Sequence, residues 1–249
     1  MKLARDRREV VIVDGIRTPI GRAGRDQAYY KDVRGDDLGV ACIKRLLERS
    51  PALNPAEIED VIWGCANQSG EQSLNLGRMI ALLAGLPVEV AGTTIDRQCG
   101  SSLQAVNFGA QAIMSGAGEG VIAGGVENMS HVPMGAGFNP NPRLLEMYPP
   151  EMYVMGMTAE RLADMYKITR AQADAFALRS NQRAVAAREI FKEEIVPIAL
   201  PNGPIVDVDQ GPRAETTLEK LAALKPSFIP NGQVTAGNSS QISDGAAAV

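Results

Sequence analysis

Between residues 10 and 124 short β-branched runs alternate with amphipathic stretches, and this alternation admits few folds. Val10-Val11-Ile12-Val13 reads as a strand closed by the turn signal Asp14-Gly15. Val61-Ile62-Trp63-Gly64, Thr93-Thr94-Ile95 and Val121-Ile122-Ala123-Gly124 read as three more. The stretches between them have helical spacing. Asp36 or Asp37 caps a helix running to about Arg49, with Leu38, Ala41, Cys42 and Leu46 on one face. Asn54-Pro55-Ala56-Glu57 opens a short helix, residues 73–83 form another, and residues 101–115 a third that carries Leu103, Val106, Ala110, Ile113 and Met114. Strands alternating with helices predict an open α/β sheet with helices on both faces.

The rhythm breaks between residues 128 and 152, where five prolines (133, 140, 142, 149 and 150) occur without periodicity. Thr158 is then placed to cap a helix reaching Tyr166, and Thr169 with Gln172 forms a capping box for a helix carrying Ala173, Phe176, Ala177, Ala184 and Ile190. After an irregular stretch at 197–212, residues 216–224 read as a short helix. The expected division is an α/β domain at 1–127 and 234–249, interrupted by a largely helical insertion at 128–233. The final Ala246-Ala247-Ala248-Val249 is apolar where termini are usually polar, which reads as a strand cut from a longer chain.

Composition excludes several functions. A chain of 249 residues, 45% hydrophobic, can bury a core without disulfides or metal. A net charge of -4 argues against nucleic acid as a partner. No apolar run approaches the ~20 residues of a membrane span, and the charged first ten residues do not resemble a secretory leader, so a cytoplasmic location is expected. Three cysteines without a CxxC and a single histidine exclude a disulfide framework, a zinc ribbon and a multi-histidine metal site.

Cys99 is the leading candidate for chemistry. It lies between a strand and a helix, where unpaired N–H groups and the helix dipole favour a thiolate, and Gly100 leaves room for a substrate against the backbone. A small residue packed at a strand–helix corner is the alternative. Cys42, on an apolar helix face, and Cys65, after a buried strand, read as structural. His131, just past a strand end, is either a base or a locally bonded loop residue. Gly124-Gly125 lacks the rest of any phosphate-binding motif. Arg213, Lys220 and Lys225 either meet a phosphorylated ligand or are solvated surface, and Met147, Met152, Met155 and Met157 could line an apolar channel.

Five motifs in order give the chain a family resemblance. They are Val13-Asp14-Gly15-Ile16-Arg17-Thr18-Pro19 with Gly21-Arg22; Trp63-Gly64-Cys65; Cys99-Gly100-Ser101-Ser102; Gly124-Gly125-Val126-Glu127-Asn128-Met129-Ser130; and Thr235-Ala236-Gly237-Asn238-Ser239-Ser240 with Ser243-Asp244-Gly245-Ala246-Ala247. The chain resembles the thiolases, the acetyl-CoA C-acyltransferases. The resemblance implies two similar α/β halves, each a five-stranded mixed sheet flanked by helices, with a loop domain inserted in the first that binds coenzyme A. It implies Cys99 as the acyl-accepting nucleophile, Arg213 near the nucleotide end of coenzyme A, Ser240 at the pantetheine arm and Met155 in the acyl pocket. Lys220 stands where some members have serine. Val154, in place of the histidine of acetoacetyl-specific members, points to degradative 3-ketoacyl-CoA thiolases of β-oxidation. An acetoacetyl-CoA-forming thiolase, a non-catalytic acyl-CoA binding module and a ketoacyl synthase are the alternatives.

The implied reaction is ping-pong thiolysis, with coenzyme A as co-substrate and no bound cofactor. The family supplies its base, second cysteine and oxyanion donor from motifs of its second half that do not occur in this sequence. The expectation is therefore roughly the first three-fifths of a homo-oligomeric enzyme, inactive by itself.

Overall fold

The computed structural model describes residues 8–24, 26–149, 152–201 and 203–249. The β-branched runs form the centre of one mixed sheet. β1 (Ile16–Arg17), β2 (Gly21–Arg22), β3 (Asp60–Gly64), β4 (Ala91–Ile95), β5 (Val121–Asn128) and, far along the chain, β8 (Ser243–Ala248) build it. β3 lies between β4 and β5 and is parallel to both; β8 runs antiparallel to β5, and its other edge pairs with β1 and β2. Pro19, between the two edge pieces, has no N–H to donate, which suits an edge. Gly64 stands opposite both Ile95 and Gly125, so β3 and β4 end level while β5 continues to Asn128 beside β8.

Parallel neighbours need crossover connections. α2 (Leu76–Leu83) links β3 to β4, and α3 (Ser101–Ser115) links β4 to β5. The strands alternate as two-sided burial requires. Val61, Trp63, Ile122 and Val126 join Leu38, Cys42, Ile43 and Leu46 of α1 (Gly35–Arg49) and Ile80 of α2 in the main core. Ile62 and Ala123 meet Ala105 of α3 in a smaller one. α3 buries mainly Ser101, Gln104, Ala105 and Gly109, while Leu103, Phe108 and Met114 are exposed. Of the apolar stripe seen in the sequence, Val106 packs against the smaller core, whereas Leu103 and Met114 are left exposed.

The chain separates into two compact units. The first comprises residues 1–136, 191–210 and 242–249; the second comprises 137–190 and 211–241. These bounds differ from the expected insertion at 128–233. Residues 197–212 contain a hairpin, β6 (Ile198–Ala199) with β7 (Ile205–Val206), whose Ile198 and Val206 join the main core. Arg17 secures this segment through Glu194 at 2.6 Å and Asp209 at 2.6 Å, with its guanidinium over the Phe191 ring. The second unit holds α4 (Pro142–Met147), α5 (Met155–Met165), α6 (Arg170–Ala186) and α8 (Leu218–Ala222), while α7 (Arg188–Phe191) spans the boundary.

Several local expectations change. Residues 10–13 form no strand; Val11, Ile12 and Val13 are exposed, because the ladder beside β8 begins only at Ile16. A pleated composition does not make a strand without a partner. Arg34, not an aspartate, is the N-cap of α1; Asp36 and Asp37 sit in its first turn, where carboxylates suit the dipole. Thr158 lies inside α5, which starts at Met155. The stretch expected to be irregular contains α4, opened by Asn141 and Pro142; Pro150 lies outside the described residues. The Thr169–Gln172 capping box forms, and Thr217 caps α8. Among the described residues no helix is long and apolar enough to cross a membrane.

Candidate active site

Cys99 sits on a tight turn beyond the carboxyl end of β4, two residues before α3. It is exposed, whereas Cys42 and Cys65 are buried. Burial pushes both of those thiols up to about 12, with Glu127 adding to the effect at Cys65. At neutral pH they are protonated and shielded, and Cys99 alone of the three cysteines can meet a reagent. Gly100 has ordinary φ, and a Cβ added there would come no closer than 3.4 Å to Arg97 O, so the turn itself does not demand glycine.

The glycines at the adjoining strand ends set where α3 starts. A Cβ on Gly64 would lie 2.4 Å from Ser102 N, and one on Gly125 would lie 2.0 Å from Ser102 Oγ. The first turn of α3 therefore rests directly on β3 and β5. Gly124 meets Trp63 and Ala247 O in the same way. Gly124-Gly125 thus serves backbone packing inside a sheet rather than a phosphate cradle.

A buried polar network, unforeseen from the sequence, joins the loops after β3 and β5. Glu127 accepts from Ala66 N, from Asn67 N at 3.2 Å and from Asn67 Nδ2 at 3.0 Å. Gln72, fully buried, donates to Asn67 O at 2.8 Å and to Cys65 Sγ at 3.4 Å, and accepts from Asn128 N at 2.6 Å. Its one visible signal was the run of polar residues directly after two strands, where α/β ligands gather.

His131 belongs to the far side of this network. Its Nδ1 is 3.0 Å from both Glu71 oxygens, and its Nε2 is 2.7 Å from Lys31 O. Burial opposes the charged ring, but the Lys31 carbonyl and the Glu71 carboxylate outweigh it and raise the imidazole's pKa. Of its two readings, the locally bonded loop residue is what the contacts describe.

The second unit contains its own cleft, of about 420 Å³, between α6, α8 and the segments at 211–216 and 236–241. Arg213 and Lys220 line it, as do Ser239 and Gln241 on either side of Ser240. Arg213 N donates to Asn181 Oδ1 at 3.0 Å, and Lys220 Nζ donates to Glu215 O at 2.8 Å. The Arg213 guanidinium has no ion pair among the described residues. Arg170 braces the walls: it pairs with Asp174 at 2.8 Å and donates to Leu221 O and Leu224 O, while Asp174 accepts from Asn238 Nδ2 at 2.9 Å. Met155 is exposed at the start of α5, outside this cleft, and Met147 and Met152 are exposed as well. Lys225 lines a separate shallow depression at 225–231. Among the described residues no group of three or more His, Cys, Asp or Glu is arranged to hold a metal ion.

Comparison with known proteins gives a consistent picture. The family model for the thiolase N-terminal domain matches residues 10–249. A 3-ketoacyl-CoA thiolase of Marinobacter nauticus is 47% identical over 249 residues, covering 97% of this chain and 63% of that protein. A beta-ketoadipyl-CoA thiolase of Acinetobacter baylyi is 47% identical over 263 residues, covering 96% and 64%. The crystal structure of the Bacillus anthracis acetyl-CoA acetyltransferase superposes with a TM-score of 0.85 at 37% identity, covering 98% of this chain and 66% of that one. The chain spans a little under two thirds of the length of these relatives.

Proposed function

The chain belongs to the thiolase family through its N-terminal domain, and from that membership we propose that it carries the nucleophile and the coenzyme A loop of an acyl-CoA thiolase. The observation that carries the proposal is the contrast among its cysteines: Cys99 is exposed on a turn beyond the carboxyl end of β4, while the other two are buried. The Cys99 thiolate would attack C3 of a 3-ketoacyl-CoA. The C2–C3 bond breaks, the acetyl-CoA enolate takes a proton and leaves, and the thiol of a second coenzyme A takes the acyl group from sulfur, returning the thiolate.

The cleft of the second unit is the proposed seat of the coenzyme. Arg213, whose guanidinium has no ion pair among the described residues, is suited to a phosphate; Ser240, between the lining residues Ser239 and Gln241, is proposed for the pantetheine arm, and Met155 for the acyl chain. The favoured substrates are 3-ketoacyl-CoA esters of degradative, β-oxidation type. The equal identity to a beta-ketoadipyl-CoA thiolase makes a dicarboxylic 3-ketoacyl-CoA the second reading.

His131 is the chain's single histidine and is engaged by Glu71 and Lys31, so it is not assigned as the base for Cys99. We therefore propose that residues 1–249 alone do not turn over, and that a second α/β half supplies the base and covers the exposed apolar stripe of α3. A homo-oligomer in the cytoplasm is the setting this reading favours. The test is peptide mass spectrometry after incubation with iodoacetamide, with coenzyme A binding measured by calorimetry. Alkylation confined to Cys99, together with coenzyme A binding that weakens in Arg213→Ala, is expected. Labelling of Cys65 before Cys99, or robust thiolysis by these 249 residues, would overturn it.

A further inference from the structure

We propose that Ser101 is a positioning residue for Cys99: its buried hydroxyl staples the turn that carries the nucleophile. The inference rests on the reading of Cys99 as the acyl acceptor. The turn is held in a conformation its residues resist. Gln98, directly before Cys99, has φ +49°, in the left-handed region that side chains other than glycine and asparagine avoid. Ser101 is 4% exposed, and its Oγ bonds both sides of that residue. It accepts from Arg97 N at 2.8 Å and donates to Gln98 O at 2.6 Å. Asp96 Oδ1 adds a bond from Gln98 N at 2.7 Å, and Gly100 N reaches Arg97 O at 3.1 Å.

The direction of the serine's bonds separates this role from capping. A helix cap accepts from N–H groups ahead of it, inside the helix. The N-cap of α3 is Gly100, which has no side-chain bond, and the Ser101 hydroxyl reaches back past Cys99 to residues 97 and 98. Ser101 itself is anchored by packing: the backbone of α3 at Ser101 and Ser102 lies directly against Gly64. The staple thus ties a strained turn to a backbone segment packed directly on the sheet, with Cys99 between the two ends.

The test is the rate constant for alkylation of Cys99 by iodoacetamide in residues 1–249, resolved by peptide, for four chains: unsubstituted, Ser101→Ala, Ser101→Thr and the double variant Gln98→Gly/Ser101→Ala. Cys42 and Cys65 are built-in reporters of an intact fold, since both are buried. Ser101→Ala is expected to slow Cys99 about tenfold as the thiol drifts from the helix N-terminus. Ser101→Thr, which keeps the hydroxyl, is expected to restore the rate. The double variant is expected to recover much of it, because glycine enters the left-handed region without a staple. An unchanged rate in Ser101→Ala overturns the proposal. So does a slow Ser101→Ala that neither threonine nor Gln98→Gly repairs, which is the pattern of simple helix packing. If Ser101→Ala exposes the buried cysteines, recovery of both fold and Cys99 rate in the other two variants supports the staple, and failure in both refutes it. Failure of the underlying reading looks different: Cys99 of the unsubstituted chain stays unlabelled while Cys65 reacts.

Discussion

Gly64→Ala is the sharpest probe of how the fold places Cys99, the proposed nucleophile. A Cβ at position 64 would lie 2.4 Å from Ser102 N, 2.5 Å from Ser101 C and 2.8 Å from Ser102 Cα. All three are backbone atoms, so no rotamer change relieves the clash. Carbon contacts are comfortable at about 3.5–4.0 Å, and the start of α3 must therefore move by roughly 1 Å. Overpacking of this kind costs about 1–3 kcal/mol, and the backbone nature of the contacts places Gly64→Ala at the upper end. With a urea m-value of about 1–3 kcal/mol/M, the unfolding midpoint should fall by about 1 M. A ~1 Å misplacement of a reacting group can cost ~100-fold in rate, so in a complete enzyme acyl transfer should suffer far more than stability does. The measurements are a urea titration followed by circular dichroism and the alkylation rate of Cys99. Gly85→Ala is the control: with φ +87° and nothing within 4 Å of the added Cβ, it incurs only the left-handed strain of about 1 kcal/mol and should leave Cys99 untouched. A Gly64→Ala chain with the original midpoint and Cys99 rate would refute the idea that close backbone approach sets the position of Cys99.

Three further outcomes are expected. The His131 clasp raises the folded-state pKa above the ordinary 6.5, so its stabilisation is fully present below that value and is lost as pH rises through the folded one; thermal melts between pH 6 and 8 should show the slope, and His131→Gln should flatten it. Arg213→Ala should weaken coenzyme A about tenfold by calorimetry through loss of a charge-assisted phosphate contact, with Arg213→Lys less affected, and equal binding in all three chains would remove Arg213 from the site. Glu160, buried in α5, accepts from Gln233 N and Val234 N at 2.8 Å each; Glu160→Ala should cost about 2–3 kcal/mol and open the segment at 229–235 to proteolysis.

What was legible in the sequence was whatever has a local cause. The capping box at Thr169, the 101–115 helix and the β-branched centres of β3 and β5 each announce themselves within a few residues. What failed needed a distant partner. Residues 10–13 have strand composition but no ladder, and residues 197–212 look irregular yet form a hairpin because Arg17, some 180 positions earlier, holds Glu194 and Asp209. The site divides in the same way. The exposed position of Cys99 at a strand–helix junction was legible, but the bonds of Gln72, Glu127 and Ser101 were not, since they engage backbone groups that only the folded chain brings within reach. α3 shows the limit of periodicity most clearly. Its apolar spacing marked a helix but not the face that packs: the sheet takes mainly Ser101, Gln104, Ala105 and Gly109, with Val106 beside them, while Leu103 and Met114 stay exposed. A helix apolar on one side and small on the other needs layers on both sides. In this family reading the same helix must then do two things at once: fix Cys99 from the sheet below, and present Leu103 and Met114 to whatever packs above. A substitution such as Leu103→Glu should separate them, leaving the Cys99 alkylation rate of residues 1–249 intact while abolishing activity in a complete enzyme whose second layer docks there. If it slowed the alkylation as much as Ser101→Ala, the two faces of α3 would not be independent, and the assignment of separate roles to them would fall.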